Sequence, residues 1–169
     1  MKDLILLFAF FGGLTFGHGQ VTDMNSAIRA NESAQAESVY LRRIQTPLTP
    51  KTVRDYQIMA VEYDVAQSDL FDGRDALFLV VFRTQKGTIE AFYDRRGEMV
   101  ESIERFRNLA LPIEIMRTGL KDYAGWRVIG TNYYVYYVKD RRMRIIYTIQ
   151  VSDGNKKKKI HLDGEGTLL

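Results

Sequence analysis

Residues 131–151, TNYYVYYVKDRRMRIIYTIQV, restrict this chain more than any other stretch. In a strand, side chains two apart share a face, so a half-buried strand alternates apolar with polar. Here Tyr133, Tyr134, Tyr136 and Tyr137 surround Val135, and both faces carry large apolar groups. Such a segment belongs inside a sheet. Residues 143–152, with Ile145, Ile146, Tyr147 and Ile149, follow as its hairpin partner.

The turn between them decides which tyrosines face the core. A two-residue turn at Asp140-Arg141 sets Val138 against Met143, Tyr136 against Ile145 and Tyr134 against Tyr147. That register predicts Tyr134, Tyr136 and Val138 in the core. Tyr133, Val135, Tyr137 and Ile146 then lie on the other face, beside Arg144 and Thr148. A three-residue turn exchanges the two tyrosine sets, and a row of aromatics still faces away from the core. Two arrangements account for that row. Either residues 21–55 or the loops cover it, as happens to central strands packed on both faces, or it is an exposed aromatic and arginine surface of the composition favoured at protein interfaces. The exposed arrangement makes Tyr133, Val135, Tyr137, Arg144 and Ile146 the candidate partner-binding residues.

The remaining punctuation is regular. Residues 58–65 and 77–84 have strand composition, with an acidic loop (Asp69, Asp72, Asp75) between them. Lys86-Gly87 as a tight turn brings in residues 88–94, setting Phe82 against Ala91 and Arg83 against Glu90. Arg95-Arg96-Gly97 turns into a strand from Glu98 to about Phe106. Pro112 then opens a helix over residues 112–123, because Ile115, Met116, Gly119, Leu120 and Tyr123 form one apolar stripe. Gly119 costs about 1 kcal/mol of helix propensity relative to Ala, which makes sense if the helix lies close against a sheet. Strands at 126–138, 143–152 and from 156 to about 162 complete a ββββαβββ order. Its short connections predict an antiparallel α+β domain of about seven strands and one main helix.

Residues 1–20, MKDLILLFAFFGGLTFGHGQ, have the layout of a secretory leader: Lys2, an apolar run from Leu4 to Phe11, a glycine break, then small residues. The run is shorter than the roughly 20 residues that span a bilayer, and no later segment qualifies. The expected product is a periplasmic or secreted protein with no membrane span. Residues 21–55, rich in Ala, Ser, Asn, Gln and Glu, read as a linker or lightly docked arm, and residues 56–169 as the domain proper.

Catalytic patterns are missing. The chain has no cysteine and two histidines, one of them, His18, inside the leader. A single remaining histidine, His161, excludes Cys/His nucleophile pairs and His- or Cys-rich zinc sites. There is no G-x-S-x-G stretch and no glycine-rich phosphate loop. The acidic loop lacks EF-hand spacing. Glu101 and Glu104 differ by three along a strand and point to opposite faces. The expectation is a non-enzymatic binding module with no catalytic, cofactor or metal residues, holding an exported protein or peptide. The alternative is a cell-envelope protein gripping anionic lipid or glycan through Arg141–Arg144 and Lys156–Lys159. Export argues against nucleic acid as the ligand, and the net charge of +3 names no partner.

The run GTIEAFYDRRGEMVESIERFRNLALPIEIMRTGLKDYAGWRV resembles the PepSY-like, β-lactamase-inhibitor-protein-like domains of bacterial exported proteins. The likeness rests on a hairpin ending in Asp94-x-x-Gly97, Leu111-Pro112 opening the helix, and Tyr123-x-Gly125-Trp126, and it covers roughly residues 57–165. It implies a helix packed on one face of a curved antiparallel sheet, with the other face available to partners and no catalytic residues to inherit. The chain departs from the pattern at Gly119, where alanine is more usual, and in its long segment before Tyr56.

Overall fold

The computed structural model describes residues 38–69, 71, 74, 76–141 and 143–169, together with the backbone of 6–9. Most of residues 1–20, expected as a leader, residues 21–37 of the expected arm, and Asp72 and Asp75 of the acidic loop lie outside the described residues.

The architecture is α+β: one open sheet of six antiparallel strands with few helices. Strands β2 (Phe78–Arg83), β3 (Gly87–Tyr93), β4 (Met99–Arg107), β5 (Arg127–Val138), β6 (Arg144–Ser152) and β7 (Lys157–Asp163) each pair with their neighbour in sequence, forming a meander. A four-residue segment, β1 (Leu6–Ala9), runs parallel beside β2. Among the described residues three helices accompany the sheet: α1 (Val39–Ile44), α2 (Lys51–Glu62) and α3 (Ile113–Leu120).

All three pack on the same face. Tyr40 of α1 meets the Tyr137 ring edge-on at 5.1 Å between centroids, and Tyr56 of α2 stacks on Phe106 at 6.0 Å. Gly119 of α3 lies so close to β6 that a Cβ there would come 2.6 Å from Ile149 Cδ1, the proximity its place in the apolar stripe predicts.

Residues 58–65, expected as a strand, are the end of α2 and a short 3-10 turn at Val65–Gln67. The helical stripe is Val53, Gln57 and Ala60, all buried. A polar glutamine in its centre hides the period, while Ile58, Val61 and Tyr63 imitate strand composition. A domain boundary at Tyr56 also gives way: Tyr40, Leu41, Ile44 and Val53, within the segment expected as an arm, belong to the main core. Ser38 caps α1, its Oγ accepting from the Leu41 backbone N–H at 3.3 Å.

Two hairpin registers differ from expectation with unequal consequences. The β2–β3 loop is Gln85-Lys86, closed by Thr84 N–H donating to the Gly87 carbonyl at 2.8 Å. Phe82 therefore faces Ile89 and Arg83 faces Thr88. Each pairing slides by two residues, so every side chain keeps its expected face. Gly87 serves close approach instead of the turn, since a Cβ there would sit 2.0 Å from the Arg105 carbonyl oxygen.

At β5–β6 the slide is one residue. Asp140 adopts a left-handed φ of 60°, and the pairs are Tyr133↔Tyr147, Tyr134↔Ile146, Val135↔Ile145 and Tyr136↔Arg144. A one-residue change moves one strand's side chains to the opposite face relative to its partner. The inward set is Tyr133, Val135 and Tyr137, at 1%, 0% and 0% exposure, and Tyr134 and Tyr136 point outward. The expectation that Tyr133, Val135 and Tyr137 form an exposed surface is corrected by this register and by α1 and α2 lying over them.

Candidate functional site

The sheet presents two surfaces of different chemistry. On the inner one, beneath α1 and α2, Glu104 is completely buried. Tyr40 Oη donates to its Oε1 at 2.5 Å, Ser102 Oγ to the same oxygen at 3.1 Å, and Gln57 Nε2 to Oε2 at 2.8 Å. Burial pushes the Glu104 carboxyl above its ordinary value, against the three donated hydrogen bonds, which favour the ionised form. Burial likewise raises the Tyr40 hydroxyl, with Glu104 beside it adding to the effect. The cluster ties both helices to β4. Being sealed, it offers a substrate no accessible atom, and its chemistry here is that of a fastener. Gln57 Oε1, Tyr133 Oη and Tyr137 Oη are buried nearby with no hydrogen-bond partner. Alternation of Ser102, Glu104 and Phe106 with Ile103 and Arg105 marks Glu104 as inward-facing; its partners on the helices could not be found without recognising α2.

On the outer face, side chains form ordered cross-strand rows. One row reads Arg83, Thr88, Arg105, Tyr134, Ile146, Asp163 from β2 to β7. The next reads Val81, Glu90, Ile103, Tyr136, Arg144. On the other side of the first row come Arg107, Asn132, Thr148 and His161. Tyr134 therefore sits between Arg105 and Ile146, and Tyr136 between Ile103 and Arg144. Both tyrosines are half-buried, while Arg83, Arg105, Arg107 and Arg144 are exposed. Arg105 Nη1 donates to Glu90 Oε1 at 2.8 Å. Among the described residues, no helix covers these rows.

The five residues expected to act together are thus split. Tyr133, Val135 and Tyr137 are core, while Arg144 and Ile146 do lie outside and find Tyr136 and Tyr134 as their neighbours. The basic groups of the lipid or glycan alternative are also divided. Lys157 and Lys159 share the outer side with His161, whereas Lys158 turns to the helix side, its Nζ 5.8 Å from the Tyr123 ring. Arg141 occupies the β5–β6 turn, where its carbonyl accepts from Arg43 Nη2 at 2.8 Å. His161, the only histidine among the described residues, sits on β7 with Nδ1 3.0 Å from Thr148 Oγ1. Among the described residues no group of His, Cys, Asp and Glu is placed to hold a metal ion, and no helix is long and apolar enough to cross a membrane.

Comparison with protein-family models, curated proteins and solved structures returns no match.

Proposed function

We propose that the chain is an exported, non-enzymatic binding module that holds a protein or peptide on the outer face of its sheet. The observation that carries this is the arrangement of Tyr134 and Tyr136 between Arg105, Arg144, Ile103 and Ile146 on a face that no described helix covers. Tyrosine rings lose little conformational freedom on binding, and tyrosine and arginine are enriched among the residues that dominate interface energetics. The likeness to PepSY-like and inhibitor-protein-like domains agrees with it, because helices on one face leave the other for partners. The leader-like residues 1–20 support export to the periplasm or beyond.

The test is affinity capture from an envelope extract with the full chain and with the Tyr134→Ser, Tyr136→Ser double variant. The wild type should retain a partner that the variant releases, with melting temperatures within a few degrees of each other. Equal retention by both proteins refutes the outer face as the binding surface.

A further inference from the structure

We propose that the arginine-rich corner of the outer face accepts an extended acidic peptide segment with carboxylates at alternate positions. This rests on the outer face being the binding surface and adds the chemistry of what it binds. Arg83, Thr88 and Arg105 stand in one cross-strand row, and Arg107 follows two residues along β4. With Asn132 and Tyr134 they line an open cleft of about 610 Å³.

The spacing selects the ligand. Arg105 and Arg107 leave the same side of β4 about 6.7 Å apart, twice the rise of a strand residue. An extended peptide repeats its own side chains on one face at that interval, so glutamates two apart, laid along β4, meet both guanidinium groups. Arg83, two strands across and so about 9.5 Å from Arg105, flanks the other side. Guanidinium forks suit carboxylates in a way that ammonium groups do not, and the Tyr134 ring beside Arg105 can take the apolar stem of the segment. The protein already displays one such pairing, Arg105 with Glu90. That pair is solvent-exposed, and exposed pairs are weak enough to be exchanged for an incoming carboxylate. Arg107 makes no ion pair among the described residues. A peptide fits better than an anionic membrane because Glu90 and Glu101 interrupt the positive charge of this face and the β7 lysines are divided between its two sides.

The probe is an end-blocked peptide alternating Glu and Thr, titrated into the full chain. Its Gln-for-Glu counterpart and vesicles of anionic phospholipid form the other arms. The Glu peptide should bind, and the Arg105→Gln, Arg107→Gln double variant should weaken it at least tenfold. Arg117→Gln, on α3 behind the sheet, should leave binding unchanged. Equal binding of the Gln peptide overturns the proposal, as does an equal loss in Arg117→Gln, or vesicle binding that the peptide does not displace. Should the Glu peptide fail while the tyrosine double variant still releases a captured partner, the acidic segment is refuted and the outer-face reading stands.

Discussion

On the inner side of β5, Tyr133 and Tyr137 are closed over by α1 and α2; on the outer side, Tyr134 and Tyr136 stand half-open between arginines and isoleucines. The two sets come from one strand and one residue type, so composition does not decide their fates. What separates them is which side the helices occupy and the length of one turn. Each inner tyrosine has a ring neighbour, Tyr133 lying 5.0 Å from Tyr147 and Tyr137 5.1 Å from Tyr40. Outer tyrosines have cross-strand neighbours only.

The contrast breaks first at the core. Tyr133→Ser or Tyr137→Ser should cost about 3–5 kcal/mol, as large-to-small aromatic substitutions in cores do, measured by urea unfolding. A loss under 1 kcal/mol would deny that this side is the core. Next in size is Glu104→Ala, which strands the Tyr40, Ser102 and Gln57 donors and should cost about 3 kcal/mol. Its melting curve should also lose cooperativity if α1 and α2 detach ahead of the sheet.

A pH series sharpens the same point. The folded state raises the Glu104 carboxyl above 4.5, its ordinary value, and so binds that proton more tightly than the unfolded chain does. The stabilisation is complete below pH 4.5 and is lost as pH rises through the raised folded value. Wild type minus Glu104→Gln stability should therefore decline from acid toward neutral pH, and a flat difference would show that burial does not govern the group. Smaller still, Tyr137→Phe removes a buried hydroxyl that has no partner, and should be neutral or stabilise by up to about 1 kcal/mol. Smallest on stability, Tyr134→Ser and Tyr136→Ser should each cost about 0.5 kcal/mol, the size of a cross-strand pair, while removing partner capture.

Much of the architecture was legible in the sequence. Turn glycines and strand alternation located β2 to β7, and the apolar stripe with Pro112 located α3. The α2 helix was concealed because its buried stripe passes through Gln57, whose Nε2 donates to a carboxylate 47 residues away. No local pattern reveals a partner at that distance. The candidate surface was legible in kind, as tyrosines beside arginines, yet assigned to the wrong tyrosines because residue types at Asp140-Arg141 do not determine turn length. At β2–β3 a two-residue misjudgement did no harm to the assignment of faces, since alternation has a period of two.

The Tyr40–Glu104 hydrogen bond spans 64 residues, whereas every antiparallel strand pair joins immediate neighbours in the chain. As the polypeptide emerges end first, α1 and α2 appear before any strand they can rest on. The meander can zip up hairpin by hairpin from local contacts, while the helical cover has to wait for β4 and β5 and then shut over them. Until it does, the newborn protein shows water the greasy inner sheet surface that the finished fold hides, and this is the interval in which it is most exposed to clumping or to a chaperone's grip.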